Sequence, residues 1–113
     1  MDALFGETIE MLSAILDFRS ERHKVIASNI ANIDTPGYRS KDIVFKEELK
    51  DLISNKYGAT IGKADYDVID SGEKVNLDSE MAKLAENNLM HNFTVELLAR
   101  KFRGLDTVLR EAK

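Results

Sequence analysis

Cysteine is absent from this 113-residue chain, proline occurs once, and aromatic residues make up only 7% of it. The absence of cysteine excludes disulfide bonds and thiolate metal sites, so the fold does not depend on a redox compartment. With so few aromatic residues, the available core is aliphatic and thin. Because the buried fraction of the surface falls with chain size, we expect a chain this short to be marginally stable alone and to be completed by partners.

The chain also lacks a concentration of positive charge. It has 16 basic and 20 acidic side chains, a formal net charge of −4, and no third of it carries a basic patch. Phosphate binding needs clustered lysine and arginine, so nucleic acid is not an expected partner. No segment approaches the roughly 20 apolar residues that span a bilayer, so direct membrane insertion is not expected. The first residues also lack the basic and apolar parts of a cleavable leader.

Two long stretches repeat apolar residues at alternating steps of four and three, the spacing that lets one helix lie along another. They predict helices over residues 3–33 and 78–111. The apolar stripes are wide enough to contact more than one neighbouring helix, which predicts oligomerisation. The predicted helix-packing residues are Phe5, Leu12, Leu16, Ile26 and Ile30 in the first helix and Leu84, Leu98, Phe102 and Leu105 in the second. The line of contact between paired helices is called the seam. The residues predicted to lie on the seam in the second helix are Leu77, Met81, Leu84, Asn88, His91, Val95, Leu98, Phe102, Leu105 and Leu109.

The residues between these helices predict a small irregular insert. Residues 40–57 carry apolar side chains on one helical face, which predicts a short helix. Residues 66–69 and 74–75 flank a glycine-containing turn at 70–73, which predicts a small β-hairpin, although the composition equally fits a loop.

The expected fold class is therefore mainly α. Two long heptad-patterned terminal helices form an antiparallel helical hairpin, or coiled coil, around the small insert. The expected organisation is one structural unit with three parts: an N-terminal core helix (1–34), a joint with a variable insert (35–76) and a C-terminal core helix (77–113).

Polar and turn-forming residues concentrate where the first helix ends. Pro36 pushes the residue before it out of helical conformations, and Gly37 suits the positive-φ position of a type II turn. The amides of Asn29 and Asn32 have two explanations that the sequence favours equally. They either satisfy backbone groups at the helix end or reach a partner helix or a neighbouring chain.

No catalytic, cofactor or metal site is predicted. His23 and His91 fall on seam positions, where a polar residue more often fixes register than binds metal or senses pH. Residues 58–64 resemble a phosphate-binding loop only faintly, because the spacing is one residue short and Ala64 replaces the required Ser or Thr. The carboxylates at 47–51 have lysines interspersed among them and predict a solvated face. The chain is not expected to be an enzyme.

Residues 28–39, Ser-Asn-Ile-Ala-Asn-Ile-Asp-Thr-Pro-Gly-Tyr-Arg, resemble the motif shared by bacterial flagellar axial proteins, the rod, hook and hook-junction subunits. As in that family, the motif follows a heptad-patterned N-terminal helix. The stretches 76–87 and 97–105, together with 42–45, make the chain most similar to the proximal rod subunits, of which two paralogues are candidates. The resemblance covers both terminal helices and the joint.

This resemblance implies a structural subunit of the proximal rod of the flagellar basal body. Such subunits are exported through the flagellar type III apparatus without leader cleavage and assemble in the periplasm by helix packing. The implied partners are other copies of the chain, other rod proteins, and the membrane ring and export gate at the rod base. The residues that match the family motif, and that are implied to be assembly contacts, are Asn29, Asn32, Thr35, Pro36, Gly37 and Tyr38.

Two other classes of function stay open at this point. A freestanding coiled-coil module, such as an export chaperone or adaptor, would share the helices but give the asparagine-rich joint no special role. It would also behave as a stable, discrete oligomer when isolated. A small enzyme would need a defined ligand pocket, for which the sequence offers no starting point.

Overall fold

The computed structural model describes residues 2–45 and 66–111, with side chains from residue 6 onward. Helix α1 spans Asp2–Ala31, strand β1 spans Arg39–Phe45, strand β2 spans Tyr66–Lys74 and helix α2 spans Leu77–Glu111. The molecule is elongated, with extents of 63 × 26 × 17 Å. None of the described helices carries an apolar run long enough to cross a membrane.

The two predicted long helices and their antiparallel pairing are confirmed. Contacts between α1 and α2 run in opposite order along the chain: Arg19 meets Asn87, and Asn29 meets Glu80. Helix α2 begins where the Asn76 side chain accepts a hydrogen bond from the backbone N–H of Ser79 at 3.1 Å. This is an N-cap, and it satisfies a donor that has no partner within the helix.

The apolar core is small and lies mainly along α1. Its buried residues are Leu12, Ala14, Phe18, Ile26, Ile43 and Val75. The Phe18 ring stacks on Phe45 with centroids 4.1 Å apart, and its edge meets Tyr66 at 6.3 Å. Strands β1 and β2 pair to form a two-stranded ribbon. The aromatic contacts hold this ribbon against the middle of α1, where burial of apolar surface favours the packed state.

The predicted short helix at 40–57 is wrong over residues 40–45, which belong to β1. Residues 46–57 lie outside the described residues. Ile43 and Phe45 lie two positions apart and both face α1, which is the period of a strand. A helical pattern in a short apolar run cannot be distinguished from a strand by spacing alone, and here the tertiary contact with Phe18 decides.

The predicted small β element is present, but its predicted pairing is wrong. Strand β2 runs without interruption through the predicted turn at 70–73 and pairs antiparallel with β1, placing Val68 opposite Ile43. The turn-forming residues make an irregularity in the ladder instead. Gly72 has a φ of 73°, and the Ser71 hydroxyl donates to the Ser40 carbonyl at 2.9 Å. Turn chemistry therefore produces a bulge in one strand and not the end of a hairpin.

The buried face of α2 is rotated from the predicted seam. Its buried residues are polar, Glu80, Asn87 and Thr94, and they repeat every seventh position. Five residues of the predicted seam are 43–59% exposed, namely Leu77, Met81, Val95, Phe102 and Leu109. The reason is that α1 presents polar side chains such as Arg19 and Asn29 along the contact. Buried polar groups need hydrogen-bond partners, so the polar side of α2 turns inward.

Candidate assembly site at the helix joint

The chain turns sharply after α1. The Tyr38 N–H donates to the Thr35 carbonyl at 3.2 Å, and Gly37 has a φ of 78°. A hydrogen bond across four residues, with Pro36 second and a positive-φ glycine third, is the arrangement of a type II turn. The predicted need for glycine at this position is therefore met. The turn carries the chain from the end of α1 directly into β1.

The motif residues of this turn also line a surface cavity of about 490 Å³. Its lining residues are Ile33, Asp34, Thr35, Pro36, Gly37, Tyr38, Arg39 and Lys74. The cavity opens between the end of α1 and the adjacent end of the β1–β2 ribbon, where Arg39 and Lys74 pair.

Asn32 satisfies local groups at the end of the helix. Its Nδ2 donates to the Ser28 carbonyl at 2.8 Å, and its Oδ1 accepts from the Thr35 hydroxyl at 3.1 Å. The first of the two explanations for the asparagines therefore describes Asn32, whose contacts lie within four residues along the chain.

Asn29 makes the long-range contacts. Its side chain is fully buried and hydrogen-bonds to both backbone groups of Lys41. It accepts from the N–H at 3.0 Å and donates to the carbonyl at 2.7 Å. The Tyr38 hydroxyl donates to Asn29 Oδ1 at 3.1 Å, and Asn29 Nδ2 donates to Glu80 Oε2 at 3.0 Å. The second explanation therefore describes Asn29, whose amide links α1 to β1 and to α2.

Glu80 completes this arrangement from the side of α2. Its carboxylate is 1% exposed and accepts from the Ser40 hydroxyl at 2.8 Å and from Lys83 Nζ at 3.2 Å, in addition to Asn29. Burial raises the pKa of Glu80, but the hydrogen bonds from Asn29, Ser40 and Lys83 outweigh it and place the pKa below its ordinary value. We call Asn29, Ser40 and Glu80 the polar node.

An ion pair next to the polar node ties the same three elements. Arg22 of α1 makes two parallel bonds to Asp42 of β1, at 3.0 and 3.2 Å, and its third nitrogen lies 3.6 Å from Glu86 of α2. Burial raises the pKa of Asp42, but the bonds from Arg22 and from the Ile43 N–H lower it further than burial raises it. The bond to Asp42 raises the pKa of Arg22. Bidentate geometry gives this pair directional specificity.

A third polar layer lies further along the helix pair. Asn87 Nδ2 donates to the backbone carbonyl of Arg19 at 2.8 Å, while Arg19 Nη1 reaches Asn87 Oδ1 at 3.5 Å. Among the described residues, Arg19 Nε is a buried donor without a partner. Burial has the largest effect on the pKa of Arg19 and lowers it, and repulsion from Arg22 lowers it further. This layer specifies which residues face each other, but it contributes little net stability.

The predicted helix-packing residues divide into three groups. Leu12 and Ile26 are buried, and Phe102 is 50% exposed. The half-buried residues are Leu16, Ile30, Leu84, Leu98 and Leu105. The Phe5 side chain lies outside the described residues.

The two histidines do not meet in a common site. His23 is exposed, so it does not occupy a seam position, and His91 is half-buried in α2. Among the described residues, no three side chains of the His, Cys, Asp or Glu type come together as a metal-binding group.

The sequence did not predict an assembly role for Glu80, Ser40 or Asp42. A pattern that could have revealed Glu80 is the seven-residue repeat with Asn87 and Thr94, a polar heptad beside the apolar one. Ser40 and Asp42 fall in the segment for which the sequence predicts a helix. Chemically, the assembled groups can bind and orient backbone elements of the same chain. They hold the ribbon at a fixed angle to the helix pair and leave the apolar sides of α2 outside.

Comparison with known proteins identifies relatives of this chain. Residues 19–39, which contain the joint and the last turns of α1, match the family model described as flagella basal body rod protein. The flagellar basal body rod protein FlgB of Bacillus subtilis (strain 168) is 34% identical over 131 aligned positions, which cover 98% of this chain and 99% of the relative.

Two further relatives carry the same name. FlgB of Escherichia coli (strain K12) is 29% identical over 84% of this chain and 87% of its own length. FlgB of Borrelia hermsii is 26% identical over 95% of this chain and 98% of its own length. The similarity to these relatives therefore extends through both terminal helices and the joint. Of the two proximal rod paralogues that the sequence suggested, FlgB and FlgC, these relatives are of the first kind.

Proposed function

Because the chain belongs to the FlgB family of flagellar basal body rod proteins, we propose that it is a non-catalytic structural subunit of the proximal rod. In this proposal it assembles with copies of itself and with other rod proteins through the outer faces of its helices. The joint sets the direction in which the β-ribbon leaves the helix pair.

The observation that carries this proposal is the placement of apolar residues on α2. The helix buries Glu80, Asn87 and Thr94 within the chain, while Leu89 and Phe93 are 69% and 58% exposed. The further exposed apolar residues of α2 are Leu77, Met81, Met90, Val95, Phe102, Val108 and Leu109. Apolar exposure on this scale along one helix is typical of a surface that other chains cover. The apolar residues of α2 are thus exposed and available for contact with several neighbouring helices.

The contacts of the joint support an indirect role for the motif residues. Asn29 is fully buried within one chain, so its contribution to assembly runs through the angle between ribbon and helices. Thr35, Pro36, Gly37 and Tyr38 line the open cavity and are available to a neighbouring chain. We therefore assign Asn29 to the orientation of the ribbon and the turn residues 35–38 to contact between subunits.

The proposal includes the route and the location of the subunit. The chain is exported by the flagellar type III apparatus without removal of a leader and resides in the periplasmic rod base, next to the membrane ring and the export gate. A thin aliphatic core and a polar helix seam support this, because a protein of low stability unfolds readily for passage.

The test compares two substitutions that add the same charge to neighbouring positions of α2. Phe93→Asp changes an exposed apolar residue, and Asn92→Asp changes an exposed polar one. Each is produced in a flagellated host whose own gene for this subunit has been deleted. Phe93→Asp is expected to abolish rods and motility, because it places a charge in an apolar interface, whereas Asn92→Asp is expected to restore both.

Circular dichroism of the two purified chains provides the folding control, since both residues are exposed and both variants are expected to keep the parent helicity. Mass spectrometry of rods from the Asn92→Asp strain is expected to show the full-length subunit. Normal rods in the Phe93→Asp strain would contradict the proposed packing surface.

A further inference from the structure

Strand β2 is almost entirely uncovered. Of its nine residues, eight are exposed and only Tyr66 is partly buried. Val68 and Ile69, neighbours whose side chains point to opposite faces, are 60% and 44% exposed. By contrast, Ile43 of β1, directly opposite Val68, is 3% exposed. The ribbon thus packs on the helices through β1, and β2 projects from the body of the molecule.

The outer edge of β2 presents unpaired backbone groups within the described part of the chain. Its inner edge pairs with β1 from Tyr66 to Asp70, and alternate residues of an antiparallel strand direct their N–H and C=O groups away from the partner. A two-stranded ribbon is barely stable in water, and a third strand is the usual remedy. The bulge at Ser71–Glu73 limits the regular edge to residues 66–70.

The charge of β2 indicates what this edge accepts. The strand contains Asp67, Asp70 and Glu73 against a single basic residue, Lys74. On the inner edge, Asp70 already lies opposite Lys41 of β1. Opposite charges directly across a strand pair are favourable, and like charges are unfavourable. A strand bearing lysine or arginine opposite Asp67 and Asp70 therefore fits the outer edge.

The same charges disfavour a second copy of β2 as the occupant. Antiparallel self-pairing centred on the two apolar residues would place Asp67 of one chain opposite Asp70 of the other. Acidic side chains on an edge strand are a known means of preventing such self-association.

We propose that residues 66–70 of β2 are a strand-addition site for an extended, basic peptide segment of another protein. The backbone of the segment continues the β1–β2 ladder, and its basic side chains pair with Asp67 and Asp70. Its apolar side chains cover Val68 and Ile69. This is recognition by backbone pairing with side-chain selection, and it does not depend on the packing surface of α2.

The test uses the full chain and a fluorescein-labelled peptide, Thr-Lys-Val-Val-Lys-Thr-Thr, whose lysines have the spacing of the two aspartates. Fluorescence anisotropy at low ionic strength is expected to show saturable binding. Hydrogen exchange is expected to slow at alternate backbone amides of residues 66–70. A peptide with both valines N-methylated keeps the charge but loses backbone donors, and it is expected not to bind.

Asp67→Asn combined with Asp70→Asn removes the two charges and retains the side-chain acceptor that holds the Gly72 N–H at 2.8 Å. Affinity for the peptide is expected to fall about tenfold, the size of effect that two exposed ion pairs give at low salt. The matched control is Glu10→Gln combined with Glu111→Gln, which changes the net charge equally at exposed positions elsewhere. Its affinity is expected to stay within about twofold of the parent.

Three outcomes would overturn the inference. Equal losses in the two double variants would mean non-specific attraction, and binding of the N-methylated peptide would exclude strand addition. Slow amide exchange at the outer edge before any peptide is added would mean that the chain itself or a second copy fills the site. None of these outcomes bears on rod assembly, which the Phe93→Asp experiment tests separately.

Discussion

At the scale of single residues, one buried amide organises the joint. Asn29 supplies both a donor and an acceptor to the backbone of Lys41 and so acts as an additional strand partner for β1. It also donates to the buried carboxylate of Glu80. Aspartate could not donate to that carboxylate, and alanine would leave both backbone groups of Lys41, the Tyr38 hydroxyl and the Glu80 carboxylate without this partner. Asn32, three residues later in the same motif, makes only local contacts among the residues that the structure describes.

Asn29→Ala is therefore expected to destabilise the isolated chain more than Asn32→Ala. Unpaired buried groups cost about 1–3 kcal/mol each, so we expect a loss of about 3 kcal/mol in the free energy of unfolding for Asn29→Ala. For Asn32→Ala, with exposed contacts, we expect about 1 kcal/mol or less. Urea denaturation followed by circular dichroism measures both. Similar losses in the two variants would show that the long-range contacts of Asn29 carry no special weight.

At the scale of secondary-structure elements, polar layers set how α1 meets α2. Glu80, Asn87 and Thr94 occupy the buried positions of α2, and the first two meet Asn29 and Arg19 of α1. A polar layer in a helix pair specifies register at the expense of stability, because each charge loses its hydration. Arg19 shows this directly, since its Nε is buried without a partner in the described structure.

Substitutions in the Arg19–Asn87 layer test whether it specifies register without stabilising the chain. Asn87→Leu alone is expected to destabilise the chain by about 2 kcal/mol, because it removes an acceptor from the half-buried guanidinium and a donor from the Arg19 carbonyl. Arg19→Met combined with Asn87→Leu is expected to be neutral or stabilising by about 1 kcal/mol. Chemical denaturation of the parent, the two single variants and the double variant completes the cycle. Additive losses in the double variant would argue that the layer stabilises the chain.

The ribbon is an element whose type depended on its surroundings. The residues Ile43-Val44-Phe45 fit a helical face or a strand equally well when only their spacing is considered. Their strand conformation follows from contacts with Phe18 and from pairing with β2, a partner more than twenty positions away in the chain. Similarly, Ser71 and Gly72 lie in the predicted turn, but in the structure they form a bulge, because β1 is the strand that pairs with β2.

At the scale of the whole molecule, the stability of the helical hairpin depends on pH through two carboxylates, the buried Glu80 and the half-buried Asp42. The pKa of Glu80 lies below its ordinary value of 4.5, and that of Asp42 lies below its ordinary value of 3.8. A carboxyl whose pKa is lower in the folded chain stabilises that chain fully above the ordinary value. The stabilisation decreases as the pH falls through the folded-state pKa.

The helical hairpin is accordingly expected to lose stability as the pH falls below about 4.5, through protonation of both Glu80 and Asp42. Glu80→Gln is expected to be less stable than the parent at neutral pH and to lose less stability on acidification. Urea midpoints measured from pH 7 down to the acid range give both slopes. Glu10→Gln, at an exposed position, is the reference variant. A parent-like acid slope in Glu80→Gln would contradict the role assigned to the polar node.

The sequence by itself determined the two helices with their heptad spacing, the break at Pro36-Gly37 and the resemblance to flagellar axial proteins. These features depend on local periodicity, on backbone geometry and on a contiguous motif, all of which are readable along the chain. Only the tertiary structure decided which side of α2 turns inward, that residues 40–45 form a strand, and that Asn29 meets Glu80 across 51 positions. Apolar spacing predicts an apolar seam, but the buried polar groups of α1 required hydrogen-bond partners, and the polar side of α2 supplies some of them through Glu80 and Asn87.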